Sequence, residues 1–283
     1  ADTPPLDKKI LFERHLISNE LSRQDDSCGV FVTQDECLSI MVNEEDHIRI
    51  QSLQPGLNLQ KAWAAADKID DQLEEKLTYA FSPRLGYLTS CPSNVGTGLR
   101  ASVMLHLPGL VLMDEMTPVI NGISKIGLAV RGMWGEGSEA EGNMFQISNQ
   151  ITLGRKEADI IGHLEQIVLE LIDHELNARQ RLVEKQALLV EDHVARAVGL
   201  LANAKLMSSA EALNLLSALR LGIDLNMLEQ ISPKELDKLF ISIQPAHLQK
   251  LENRDLDSDM RDAVRATMLR DCMTVAIQNA KKR

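Results

Sequence analysis

Apolar and polar positions divide the chain into a mixed front part and an almost wholly helical rear part. Two apolar runs, Gly29-Val-Phe-Val and Leu38-Ser-Ile-Met-Val, predict strands, and His47-Ile-Arg-Ile-Gln-Ser-Leu53 alternates with the period of two expected of a third. In that alternation Ile48, Ile50 and Ser52 take one face and His47, Arg49 and Gln51 the other, which puts Arg49 on the polar side of a half-buried strand. Over 59–80 the residues Leu59, Ala62, Trp63, Ala66, Ile69, Leu73 and Leu77 recur three and four apart and predict a packing helix. Residues 101–107 and 127–131 read as further strands, with a helix over 111–125 between them. This irregular alternation of sheet and helix predicts an α+β domain over a doubly wound one.

After Gly154 the pattern turns helical, with one long periodic stretch from 157 to about 201. Ser208-Ser-Ala-Glu211 has the form of a capping box ahead of a helix over 212–221, and Gly222 has the chemistry of a helix stop. Ser232-Pro-Lys-Glu235 repeats the start signal, Gln244-Pro245 interrupts, and Asp257-Ser258 opens a last helix to about Ala280. The expected division is a front domain over 1–180 and an all-helical domain over 181–283, without internal repeats.

Composition narrows the class. With 283 residues, 44% hydrophobic and 25% charged, the chain is long enough for two soluble domains. No run of about 18 apolar residues occurs, and Ala1-Asp-Thr-Pro-Pro is no signal peptide, so the expected location is cytoplasmic. Cys28, Cys37, Cys91 and Cys272 lie far apart, outside any zinc or CxxC spacing, which speaks against disulfides and bound metal; Cys28, Cys37 and Cys272 read as buried thiols. A net charge of −11 and only 3% aromatic residues argue against nucleic-acid binding, and an acidic exterior suits cationic polypeptides and plain solubility alike.

Three segments concentrate chemistry: Asn43-Glu44-Glu45-Asp46-His47-Ile48-Arg49, Cys91-Pro-Ser-Asn-Val-Gly-Thr-Gly-Leu-Arg100 and Arg131-Gly-Met-Trp-Gly-Glu-Gly-Ser-Glu139. Each joins a cation to a thiol or carboxylates in loop-forming sequence. Together with Arg14-His-Leu-Ile-Ser18, Arg100-Ala-Ser-Val-Met104 and Gly142-Asn-Met-Phe-Gln-Ile-Ser-Asn-Gln-Ile-Thr-Leu-Gly154, they resemble the ATP:guanido phosphotransferases, the family of the creatine and arginine kinases. Within that family the likeness is to the bacterial protein-arginine kinases of the McsB type.

The resemblance implies ATP and Mg²⁺ as cofactors and phosphoryl transfer to a guanidinium. Such a reaction needs arginines for the anionic donor and carboxylates for the cationic acceptor. Arg49 and Arg100 match the family's nucleotide-binding arginines, His15 its nucleotide-contacting histidine, and Arg131 is a third candidate cation. Ala101, Ser102, Val103 and Met104, with Gly132, Met133, Trp134, Gly135 and Glu136, complete the nucleotide-contacting segments implied. Glu45, Glu136 and Glu139 are the candidate carboxylates that orient the guanidinium and draw off its proton, and Cys91 matches the reactive cysteine, with an electrostatic role.

Two departures point toward protein substrates and away from small guanidino compounds: Trp134 stands where phosphagen kinases have a phosphate-binding arginine, and Gln150-Ile151 replaces a basic pair. The Ser-Ser-Arg-x-Arg segment that family members carry ahead of the histidine has no counterpart before His15, so the chain reads as opening within a catalytic domain. Arg261-Asp-Ala-Val-Arg-Ala266 matches the Arg-Asp-x-x-Arg-Ala motif through which these kinases bind phosphoarginine: Arg261 and Arg265 for the phosphate, Asp262 for the guanidinium, Ala266 closing the motif. The resemblance further implies stress-response roles: protein substrates with exposed arginines, among them a transcriptional repressor, a Clp-type protease and an activator protein as partners. No direct contact with nucleic acid or membrane is expected, and self-association is left open. A small-molecule guanidino kinase and a non-catalytic phosphoarginine-binding adaptor are the alternative readings.

Overall fold

The computed structural model describes residues 3–24, 27–134, 140–228 and 231–280. In chain order, α1 (Pro5–Glu13) and α2 (Asn19–Arg23) lead to β1 (Gly29–Val32), β2 (Leu38–Val42) and β3 (Ile48–Ser52). Then come α3 (Leu59–Glu74), β4 (Phe81–Ser82), β5 (Gly86–Tyr87), β6 (Ser102–His106), α4 (Pro108–Leu112), α5 (Met116–Lys125), β7 (Leu128–Gly132) and β8 (Met144–Asn149). The helices α6 (Glu157–Lys185), α7 (Ala187–Asn203), α8 (Ser209–Asp224), α9 (Pro233–Ser242), α10 (Pro245–Glu252) and α11 (Ser258–Ala280) follow. Strands β1–β2–β3 form an antiparallel sheet, β4 and β5 a small ribbon, and β6–β8–β7 a second three-stranded sheet. The chain folds as two compact units: one of Ala1–Met104, Pro118–Val130 and Gln146–Leu171, the other of Leu105–Thr117, Arg131–Phe145 and Ile172–Arg283.

In the first unit, alternation along β3 is as the pattern predicts, with Ile48 and Ile50 half-buried and Arg49 exposed. Register adds what alternation leaves out. Met41 pairs with Arg49 and Ser39 with Gln51, so these four side chains share one face. Met41 is fully buried there against Ile17 and Leu21. Arg49 therefore emerges from a face already covered in part by apolar packing.

Several elements differ from the pattern, each for a physical reason. Helix α3 stops at Glu74, and Leu77, the next residue of its stripe, is exposed. The helix expected over 111–125 is two helices, because α4 starts earlier, at Pro108, where a missing N–H costs nothing, and Asp114 breaks the run at φ +57. The stretch from 157 to 201 divides at Gln186, whose φ of −139 and ψ of 34 are not helical and separate α6 from α7. Gly222 is not a stop: it lies inside α8, where a Cβ would sit 2.7 Å from Val194 Cγ1, so glycine is what lets α7 and α8 close. Both arms of a capping box form at Ser232, and Ser208 caps α8 through the Glu211 amide. The buried-thiol expectation also fails: Cys272 is exposed and Cys28 and Cys37 are half-buried.

The second unit holds a buried polar network. Glu175 of α6 accepts the amides of Gly109 at 2.8 Å and Leu110 at 2.9 Å, two otherwise unpaired donors of the first turn of α4. Arg179 donates to Glu175 at 2.6 Å, to Asp224 at 2.9 Å and to the His106 carbonyl at 3.3 Å. The His106 ring lies 2.8 Å from Ser217 Oγ, which accepts from Asn143 at 2.7 Å.

Burial, reinforced by the Arg179 charge and opposed by Asp224, pushes the His106 pKa down to about 3. An unfolded histidine titrates near 6.5, so the unfolded chain takes up a proton between these values that the folded chain refuses. Stability is therefore full above pH 6.5 and falls as pH drops toward 3. At about 1.36 kcal/mol per unit, the loss from His106 reaches up to about 3 kcal/mol by pH 4. His106→Gln, whose carboxamide reaches the same hydroxyl, should flatten the midpoint-versus-pH curve between 6.5 and 4; an unchanged slope would show that His106 does not titrate in this window.

Candidate active site

The segment Asn43–His47 turns β2 into β3, and Asn43 at φ +53 supplies the left-handed residue of the turn. It lines a cleft of about 500 Å³ with Asn43, Glu44, Glu45, Asp46, His47 and Ser90 on its walls. The three adjacent carboxylates have different tasks. Glu45 is exposed into the cleft, and its amide donates to Glu44 Oε2 at 3.1 Å. The Glu44 side chain is 3% exposed and receives Arg49 at 3.3 Å. Burial alone would raise its pKa, but bonds from the Ser18 hydroxyl, the Glu45 amide and Arg49 outweigh it and hold Glu44 below the ordinary carboxylate range. Asp46 accepts the Ser90 amide at 2.7 Å and so pins the approach to Cys91.

These bonds bring the first motifs together. His15, at φ +58, has a carbonyl that accepts from Gln51, two residues beyond Arg49 on the same strand face. Burial lowers the His15 pKa, so its imidazole is neutral at physiological pH. Ser18 caps α2 through the Leu21 amide at 3.0 Å.

The loop from Cys91 to Arg100 is clamped from behind. Cys91 is half-buried, with Sγ 2.9 Å from Ser93 Oγ, and it opens a single 3₁₀ turn, Pro92–Asn94. Thr152 Oγ1 lies 2.9 Å from the Ser93 carbonyl and 2.8 Å from that of Val95. At Gly96, φ +117, a Cβ would sit 2.6 Å from the Thr152 carbonyl, so only glycine fits. Arg100 is exposed at the end of this loop, and Ala101 is buried beside it. Ser102, exposed, accepts from Gln146 at 3.1 Å, while Val103 and Met104 are half-buried in β6.

In the second unit, Arg131 and Trp134 are half-buried, and Gly132 and Met133 buried, at the end of β7 and just beyond. Gly135, Glu136 and Glu139 lie outside the described residues. The chain returns through Gly142, whose amide donates to Asn214 at 2.9 Å.

The Arg261–Ala266 segment lies in α11. Arg261 is half-buried and donates to the Leu256 carbonyl at 2.8 Å. Arg265 does not stand beside it as a second surface fork. Only 1% exposed, it donates through Nε to the Ile243 carbonyl at 2.9 Å and through Nη1 to the Met207 carbonyl at 2.7 Å and Asp262 at 2.6 Å. Ala266 is fully buried.

Sequence reasoning singled out Glu45, Arg49, Cys91 and Arg100 but passed over Glu44, Asp46, Gln51, Asn149 and Thr152, which hold them. Three adjacent acids in a turn were the available signal for Glu44 and Asp46, because mutual repulsion makes such a run costly unless each has a cation or amide to face.

Comparison with known proteins bears directly on this arrangement. The profile described as "ATP:guanido phosphotransferase, C-terminal catalytic domain" matches residues 1–178, and that described as "Protein-arginine kinase McsB C-terminal domain" matches residues 187–283. The protein-arginine kinase of Symbiobacterium thermophilum is 50% identical over 270 residues, covering 95% of this chain and 76% of that protein. That of Halothermothrix orenii is 47% identical over 269 residues, 95% of this chain and 77% of its own. Among solved structures, a lombricine kinase is similar at TM-score 0.53 and 29% identity over 64% of this chain and 52% of its own. The substrate-free duplicated taurocyamine kinase of Schistosoma mansoni is similar at TM-score 0.54 and 28% identity over 66% of this chain and 27% of its own. With both profiles matched in this order and protein-arginine kinases about 50% identical over 95% of its length, the chain belongs to the ATP:guanido phosphotransferase family, in its protein-arginine kinase branch.

Proposed function

We propose that this kinase transfers the γ-phosphoryl group of Mg²⁺·ATP to arginine side chains of proteins. The observation that carries the reading is the acidic cleft at Glu45, on the same hairpin that presents Arg49. Arg49 and Arg100 are the donor-side cations, each able to take a phosphate through two N–H groups. His15, neutral, is the nucleotide's hydrogen-bonding neighbour. Mg²⁺, bound with the phosphates, would supply neutralisation of their charge there. Glu45 receives the guanidinium, aligns one nitrogen with the γ-phosphorus and accepts its proton as the N–P bond forms and ADP leaves. Cys91 adds a polarisable sulfur beside the cation. Arg131, Glu136 and Glu139 enter this scheme by resemblance alone.

The expected division of labour is catalysis by 1–180 and phosphoarginine binding by 181–283, with Arg261 and Asp262 as the reachable groups. Family membership supports the wider role: marking proteins, a transcriptional repressor among them, for a Clp-type protease during stress, in the cytoplasm and with an activator protein. Among the described residues, no helix is long and apolar enough to cross a membrane.

The test is label from γ-³²P-ATP offered to the full-length protein with a basic protein or with free arginine. Acid-labile label on the protein substrate is expected, as befits a phosphoramidate. Label on free arginine alone would favour a small-molecule guanidino kinase, and phosphoarginine binding without transfer would favour an adaptor.

A further inference from the structure

We infer that Asn149 is a positioning residue for nucleotide binding and acts through Arg100; the inference rests on the reading of Arg100 as a phosphate ligand. Asn149 ends β8 and is 6% exposed. Its carboxamide reaches across Arg100 to both neighbours: Oδ1 accepts the Ala101 amide at 2.8 Å, and Nδ2 donates to the Leu99 carbonyl at 3.0 Å. The backbone makes a third tie, from the Asn149 amide to the Ala101 carbonyl at 3.3 Å. Nδ2 also reaches the Ile151 carbonyl at 3.4 Å.

A side chain that donates on one side of a residue and accepts on the other fixes the direction of both flanking peptide planes. Among uncharged side chains of this length, only a carboxamide supplies both functions from one planar group. The root of the Arg100 side chain is thereby fixed before any phosphate arrives, although Arg100 itself is exposed. Without the tie, ATP would have to order the loop end at the expense of its own binding energy. Thr152 grips the other half of the same loop, at Ser93 and Val95, and provides a control for general loosening.

Mg²⁺·ATP titration calorimetry on the full-length protein tests this with Asn149→Ala, Arg100→Ala, the double variant and Thr152→Val. Asn149→Ala should weaken ATP about 10-fold in the native background and less than about twofold in Arg100→Ala, since a positioning residue has nothing left to position once its client is gone. Thr152→Val should stay within about threefold of wild type. An equal loss in both backgrounds, no loss at all, or an equal loss in Thr152→Val would each overturn the inference. Wild-type ATP affinity in Arg100→Ala would instead overturn the reading of Arg100, and the inference with it. Should Asn149→Ala not fold, the uncharged Asn149→Ser, too short to span both neighbours of Arg100, carries the same cycle.

Discussion

Glu45→Gln is expected to lower phosphoryl transfer to protein arginines by on the order of 10²–10³ while leaving the fold and ATP binding in place. The side chain is exposed in its cleft, and the substitution preserves its shape, so stability should move by no more than about 0.5 kcal/mol. What disappears is the negative charge that faces the acceptor and the base that takes its proton. A guanidinium titrates above about 12, so it becomes a nucleophile only while its proton is being removed, and a carboxamide cannot remove it. Glu44→Gln is the internal contrast. That carboxylate faces Arg49, and its loss should raise the KM for ATP more than it lowers kcat. Initial rates at saturating and limiting ATP, with thermal melts of the same samples, separate the two. Turnover by Glu45→Gln within threefold of wild type would remove Glu45 from the acceptor side.

The candidate substrate-contacting residues were easier to read from sequence than those that hold them. Arg49 shows in the alternation of β3, and Cys91 to Arg100 in a run of turn residues, because local geometry and motif order are both written along the chain. The clamps are not local. Asn149 and Thr152 act on residues roughly 50 positions away, at separations of 48 and 59 to Ala101 and Ser93, and nothing in β8 or the turn after it announces those partners. The same limit governs the helices. Periodicity finds α6 and α7 but not the break at Gln186, and Gly222 has a terminator's chemistry until Val194 is known to lie against it. Register was likewise out of reach: the face of β3 that carries Arg49 could be named, but not that Met41 is buried on it.

Arg265→Met is expected to destabilise the helical part of the chain severely, by about 3–5 kcal/mol, the range for removing one partner of a buried ion pair. The motif resemblance made Arg261 and Arg265, four apart, equal ligands for a phosphate. Burial separates them. Arg265 serves the Ile243 carbonyl at the end of α9 and the Met207 carbonyl just ahead of the α8 cap, while Asp262 balances its charge. Methionine fills similar volume but leaves two carbonyls without a donor and a carboxylate without a cation. At about 2–8 °C per kcal/mol, the thermal midpoint should fall by roughly 6 °C or more. Arg261→Ala loses one bond to the Leu256 carbonyl from a half-buried position and should cost about 1 kcal/mol. The phosphoarginine reading is therefore tested with Arg261→Ala and with Asp262→Asn, which keeps an acceptor for Arg265 and removes only the charge. Both should weaken phosphoarginine binding to the full chain at a temperature where each remains folded. Unchanged affinity in both would reduce the segment to its packing role, and a stable, folded Arg265→Met would show that the guanidinium is not what joins α8, α9 and α11.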